Sequence, residues 1–200
     1  MQFGALRVLN DDTLFGGKGF SQHPHDNMEI ITIPLSGALK HKDNMGNSSV
    51  IEQGDIQVMS AGSGLFHSEM NANKDEEVKV LQIWILPNKM NVEPRYDQIS
   101  LEPLSANEFH QIVSPNQNEA GCWIHQNAWI HIGKFEKGQE INYSLKDKSN
   151  GVYLFVLEGA FEIEEQELKR RDALGVWNKE KVSIKSKMDS KILLIEVPME

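Results

Sequence analysis

The clearest signal along the chain is a set of short runs rich in β-branched and aromatic residues. They cover Glu29–Leu35, Val78–Leu86, Val152–Leu157, Val182–Lys185 and Ile192–Val197. Clusters of Gly, Pro, Asn and Asp bound these runs, the pattern of strands separated by turns. None is long enough for a typical helix, so the chain is expected to be mostly β. Asp43–Asn47 reads as a turn between two strand-like stretches, and Phe161–Ile163 opens a further hairpin. A helical turn or two is predicted over Ser105–Val113, where Ser105 can cap and Glu108 follows three residues on.

The order of the runs hints at a duplication. Leu35-Ser36-Gly37-Ala38 follows one apolar run as Leu157-Glu158-Gly159-Ala160 follows another. Gly54-Asp55 resembles Arg170-Arg171-Asp172, and Val80–Pro87 resembles Ile192–Pro198, in the same order. Two copies of one β unit is the simple reading. Between them, Met90–Gly121 carries Pro94, Pro103 and Pro115 among many polar residues and reads as a connecting segment. The expected division is therefore residues 1–90, a connector over 91–120, and residues 121–200.

Composition narrows the class. The chain has 200 residues, 40% of them hydrophobic and 24% charged, which suits a globular protein with a sizeable core. No run approaches the ~18 apolar residues of a membrane span. Met1–Asp11 lacks the basic stretch and apolar core of a secretory signal. The single cysteine, Cys122, leaves no intrachain disulfide and no Cys-rich metal cluster, so a reducing cytoplasm is the expected compartment. A net charge of −9 argues against direct nucleic-acid binding, which needs basic surface to displace counterions.

The candidate chemistry lies in the first half. His23-Pro24-His25 places two imidazoles two residues apart, on one face of a strand. His67-Ser68-Glu69 repeats that spacing with a carboxylate. Glycine clusters, Gly16-Gly17-Lys18-Gly19 and Gly62-Ser63-Gly64, precede the two pairs and let the backbone bend around a barrel mouth. Two such pairs on neighbouring strands make a cup of three imidazoles and one carboxylate with open positions for water, dioxygen or substrate. Glu29, four residues after His25, competes with Glu69 for the carboxylate role. His41, in Lys40-His41-Lys42-Asp43, is expected to face solvent or bond Asp43. His110, His125 and His131 have no partners at useful spacing and are assigned no role. Phe20, Met28, Phe66 and Trp84 are the apolar neighbours placed to line a pocket or to serve as barrel core.

These motifs resemble the cupin superfamily and, within it, the pirin family. Gly17 to Glu29 matches the first cupin motif, and Gly54 through Asn71 resembles the second. Met59-Ser60-Ala61-Gly62-Ser63-Gly64-Leu65-Phe66-His67-Ser68-Glu69 carries the more specific likeness, with Leu6–Asp12, Gln82–Ile85 and Pro94-Arg95-Tyr96 in support. The resemblance implies an all-β bicupin: two jelly-roll β-barrels facing each other in one chain, with short helical turns. It implies one divalent transition metal, Fe(II) first, with Mn, Ni, Cu and Zn as alternatives, in the first barrel only. The implied ligands are His23, His25, His67 and Glu69, which settles the carboxylate on Glu69 rather than Glu29. The second half fits a metal-free barrel, with Tyr143-Ser144-Leu145 near the place of the H-x-H pair. Family members usually carry some thirty residues before the segment that starts here at Met1, so the first barrel is expected to lack an opening strand.

The activity implied is that of a quercetin 2,3-dioxygenase, opening a flavonol ring with O2 and with Glu69 as the catalytic proton acceptor. The alternative reading is a redox- or metal-sensing regulator acting through a protein partner that the sequence does not name. A different oxygenase or isomerase reaction would suit the same cup, since the fold hosts many chemistries.

Overall fold

The computed structural model describes residues 2–101 and 103–199. The chain divides into two compact units. The first holds Leu6–Glu102 and Cys122–Gln126; the second holds Phe3–Ala5, Pro103–Gly121 and Asn127–Glu200. The short stretch after Gly121 thus packs with the first unit, although it follows the connector in sequence.

In the first unit the strands are β1 (Leu6–Leu14), β2 (Gly19–His25), β3 (Glu29–Ser36), β4 (Ala38–Asp43) and β5 (Ser48–Glu52). They are followed by β6 (Asp55–Ser60), β7 (Leu65–Asn71), β8 (Val78–Ile85) and β9 (Arg95–Ser100). They form two antiparallel sheets, ordered β1-β8-β3-β6-β9 and β2-β7-β4-β5. Ile30, Met59, Ala61 and Leu65 form one buried apolar cluster between them; Leu39, Ile51, Val78 and Val80 form another. Each large apolar side chain so buried contributes roughly 1.5–3 kcal/mol. β3 is the central strand, and its sequence, Glu-Ile-Ile-Thr-Ile-Pro-Leu-Ser, is buried on both faces as far as Pro34. Pro34 has no N–H to give a ladder, and it sits where the β3–β8 register shifts.

The second unit holds β10 (Glu108–Ser114), β12 (Trp129–Phe135), β13 (Glu140–Ser144), β14 (Asn150–Glu158) and β15 (Ala160–Ile163). β16 (Gln166–Lys169), β17 (Ala173–Val176), β18 (Lys181–Ser186) and β19 (Ser190–Pro198) complete it; the two-residue β11 (Cys122–Trp123) belongs to the first unit. One sheet runs β10-β12-β19-β14-β17 and the other β13-β18-β15-β16. Thus β12 to β19 repeat β1 to β8 strand for strand.

The turns repeat as well. Gly37 and Gly159 take φ of 73° and 76° at matching turns, a region that costs little only for glycine. Glu52 N–H donates to Asp55 Oδ2 at 3.0 Å, and Lys169 N–H to Asp172 Oδ2 at 2.8 Å. These are the two turns paired in the sequence, and the structure makes them equivalent.

One expectation fails. No helix occurs among the described residues, and Ser105–Val113 is not helical. Asn107 stands at φ 67°, outside the helical region, and Glu108–Ser114 is β10. Ser105 does meet Glu108. Their contact runs between side chains in a turn, and Ile112 and Val113, β-branched and fully buried, commit the segment to the sheet.

Candidate metal centre

The sheet β2-β7-β4-β5 presents the histidines. In β7 the burial alternates, so Leu65, His67, Glu69 and Asn71 point inward and Phe66, Ser68 and Met70 outward. His23 lies directly across from His67 in the β2–β7 register, after an irregularity between Phe20 and His23. β2 is the edge strand of its sheet, where the missing N–H of Pro24 is tolerated. His25, two residues from His23, shares its face.

The result is a compact trio. One nitrogen from each of His23, His25 and His67 lies within 4.8 Å of the others. Ring centroids stand 4.9 Å apart for His23–His25, 4.4 Å for His23–His67 and 4.9 Å for His25–His67. His23 Nδ1 lies 2.8 Å from the Ser21 carbonyl. A carbonyl only accepts, so Nδ1 carries the proton and Nε2 presents a lone pair. His25 Nε2 and both nitrogens of His67 are buried without a protein partner. Burial, then the charge of His23, pushes His25 down to about 4; burial, then His23, His25 and His41, pushes His67 down to about 3. Both imidazoles are therefore neutral at physiological pH, the state in which they ligate a metal.

Glu69 is buried on the same inner face but lies outside that 4.8 Å group. Its Oε2 accepts from Gln82 Nε2 at 2.7 Å and its Oε1 from Thr32 Oγ1 at 3.4 Å. Burial raises its pKa, against the lowering effect of these donors and of His23. Glu29 takes the other face of β3, away from Ile30 and Thr32. There it accepts from Ser60 Oγ at 2.7 Å, with Arg95 nearby, and burial pushes it up to about 7.

His41 departs from one of its two expected settings. It is fully buried, with no solvent contact, and its Nε2 lies 3.1 Å from Asp43 Oδ2. Its ring stands 5.5 Å from His67 and 4.9 Å from Tyr96. Met28 and Trp84 pack into the apolar cluster of Ile30 and Leu65, and Trp84 meets His25 edge-on at 5.0 Å. Phe20 and Phe66 are 42% and 49% exposed, so they do not line a closed pocket. For Phe66 the reason is alternation: it neighbours His67 in sequence and so faces the opposite way.

Sequence reasoning passed over Gln82 and Thr32, the two residues that hold Glu69. The signal was present: each is a polar residue whose neighbours on the inward face of its strand, Val80 and Trp84 for Gln82, Ile30 and Pro34 for Thr32, are apolar. His110 bonds the Ser105 carbonyl at 3.1 Å, and His131 is buried in the second unit beside Tyr143.

Comparison with known proteins gives the family. The family model described as Pirin matches residues 1–85, and that described as the quercetinase C-terminal cupin domain matches residues 111–197. A quercetin 2,3-dioxygenase from Escherichia coli (strain K12) is 33% identical over 198 residues, spanning 99% of this chain and 84% of that protein. A pirin-like protein from Caulobacter vibrioides is 34% identical over 199 residues, spanning 98% and 84%. The crystal structure of bacterial pirin YhhW in complex with nickel(II), from Escherichia coli, superposes with a TM-score of 0.93 at 32% identity, covering 100% of this chain and 85% of that one.

Proposed function

The chain belongs to the pirin family of two-barrel cupins, and from that premise we propose that its first barrel is a metal-dependent oxygenase of the quercetin 2,3-dioxygenase type. The observation that carries this reading is the imidazole trio, with three buried nitrogens that no protein group satisfies. Unpartnered buried polar atoms are rare in folded proteins because each costs free energy. A divalent cation would take one lone pair from each imidazole of the trio, which accounts for His25 Nε2 and for one of the two His67 nitrogens.

The residues fit such an ion. His23, His25 and His67 would hold it through nitrogen, with Glu69 as the carboxylate. Iron(II) is the assignment favoured by the family resemblance; the same donors suit nickel(II), the ion bound by the Escherichia coli relative. A bound ion would supply Lewis acidity toward the 3-hydroxyl of a flavonol.

The chain's own residues supply the rest. Glu69, raised by burial, is a proton acceptor suited to a hydroxyl that must be deprotonated before ring opening. Gln82 and Thr32 each donate to one of its oxygens and so fix where the proton arrives. Trp84 gives His25 an apolar flank, the kind of surface on which a flat aromatic substrate packs, and Met28 packs into the same apolar cluster as Trp84. The co-substrate in this reading is O2.

Purified protein loaded with iron(II) or nickel(II) should take up oxygen when quercetin is added and release carbon monoxide. His67→Ala should abolish both. Full metal occupancy without oxygen uptake on any of a panel of flavonols would defeat the substrate assignment.

A further inference from the structure

The inner face of the first barrel carries a polar row. Gln82 lies across from Thr32, Thr32 from Gln57, and Gln57 from Gln98, on β8, β3, β6 and β9 in turn. Residues that pair across antiparallel strands share a face, so the row is continuous. It lies between the cluster of Leu39, Ile51, Val78 and Val80 and that of Ile30, Met59, Ala61 and Leu65. A polar row within a buried sheet face costs desolvation, and the second barrel avoids it. There the positions of Gln82, Thr32 and Gln57 are filled by Leu194, Leu154 and Leu174.

Gln82 is the member with its partners in series. Its Nε2 donates to Glu69 Oε2 at 2.7 Å, and its Oε1 accepts from Trp84 Nε1 at 3.1 Å. An indole N–H can only donate, so it fixes which way the amide faces. Turned over, the amide would set NH2 against the indole N–H and its oxygen against the carboxylate. Trp84 therefore orients Gln82, and Gln82 holds Glu69 as an acceptor. The other edge of the same chain touches the trio, because the Trp84 ring stands edge-on to His25.

We propose that Gln82 is the positioning residue for Glu69, with Trp84 setting Gln82's own orientation, so that the relay Trp84–Gln82–Glu69 tunes the metal centre. The inference rests on the reading of the trio and Glu69 as metal ligands. Gln82 touches neither metal nor substrate in this scheme; it acts through the carboxylate.

The test is nickel(II) binding, by competition titration, together with the absorption spectrum of the nickel(II) form. Gln82→Leu copies the second barrel and should weaken nickel(II) binding by roughly 10- to 100-fold, the usual cost of losing a hydrogen bond to a ligand. The ligand-field bands should shift with it. Trp84→Phe keeps an aromatic ring and removes the N–H. It should move the same bands in the same direction and weaken binding by roughly 2- to 10-fold. That second variant also serves if Gln82→Leu does not fold. Unchanged affinity and spectrum in a folded Gln82→Leu, or in Trp84→Phe should the former not fold, would overturn the inference while leaving the metal site standing. Wild-type protein that takes up no nickel(II) would overturn both, and neither result depends on quercetin turnover.

Discussion

Each barrel is a control for the other. Because β12 to β19 repeat β1 to β8, the strand registers give the site residues of the first barrel counterparts in the second. Tyr143 stands where His23 does, Leu145 where His25 does, Val182 for His67, Ile184 for Glu69 and Ile163 for His41. Behind them, leucines replace Gln82, Thr32 and Gln57. The second barrel accordingly packs Phe135 through Leu194 in one buried cluster, whereas among the described residues of the first the clusters of Ile30 and Leu65 and of Leu39 and Val80 stand apart. Its inward polar groups include His131, buried beside Tyr143 with Nδ1 unpartnered, and Glu196, in the place of Trp84. That carboxylate is fully buried but accepts from Tyr143 Oη, the Lys146 and Asp147 N–H groups and Asn150 Nδ2. It is satisfied, so it invites no ligand. One fold thus supports two interiors: the first brings three imidazoles onto one face, whereas the second gives its buried carboxylate protein partners and, among its described residues, holds a lone buried histidine, His131.

Exchanging counterparts gives the sharpest break of this comparison. His67→Val places the second barrel's residue in the first. It removes a trio member outright, so nickel(II) affinity should fall by more than the roughly 10- to 100-fold that a supporting residue costs. The reverse change, Val182→His, should add no binding equivalent, since its neighbours Tyr143 and Leu145 offer no imidazole. Metal stoichiometry by elemental analysis, alongside a titration, checks both. Undiminished nickel content in His67→Val would remove His67 from the ligand set.

The contrast between barrels was partly legible in the sequence. The spacing of His23, His25, His67 and Glu69 was readable because a strand has a fixed period of two, and Tyr143-Ser144-Leu145 was already visible as the place without histidines. What could not be read was anything set by register between distant strands. Gln82 meets Glu69 only because β8 and β7 face each other across the barrel. His41 looked like a polar strand end, flanked by lysines, because alternation turns every second residue inward and a compositional reading does not see which. Ser105–Val113 misled for the opposite reason: a local capping pair was present, and long-range sheet pairing outweighed it. Residues 122–126 sit with the first unit for a reason no local pattern carries.

A second break concerns pH. Glu29 faces outward from β3, and its counterpart on β14 is Gly151, which cannot titrate. Burial pushes Glu29 up to about 7, against the lowering influence of Ser60, Arg95 and a backbone bond involving His125. An unfolded glutamate ionises near its ordinary value of 4.5. Between those values the folded chain holds a proton that the unfolded chain has released, so stability falls as pH rises through the window. Above it the full penalty applies, on the order of 3 kcal/mol. Glu29→Gln removes this dependence. Urea unfolding at pH 4 and pH 8.5 should show the variant gaining on wild type by that amount at the higher pH. Parallel profiles would place the cost elsewhere.

The smallest change tests whether the polar row must be polar throughout. Gln57 is fully buried, and neither its amide nitrogen nor its oxygen has a protein partner. Gln82 and Thr32 spend their polarity on Glu69; Gln57 does not. If its amide is only a cost, Gln57→Leu, the residue found at that position in the second barrel, should stabilise the protein by about 1–2 kcal/mol, the free energy recovered when an unsatisfied buried group is replaced by an apolar one. Nickel(II) affinity should move far less than in Gln82→Leu, because Gln57 makes no bond to Glu69. Denaturant unfolding with a parallel titration reads both. A stabilised variant with intact metal binding divides the row into a working half and a residual half. A destabilised one makes Gln57 part of the same hydrogen-bonded layer, and the first barrel's interior then differs from the second's as a unit rather than residue by residue.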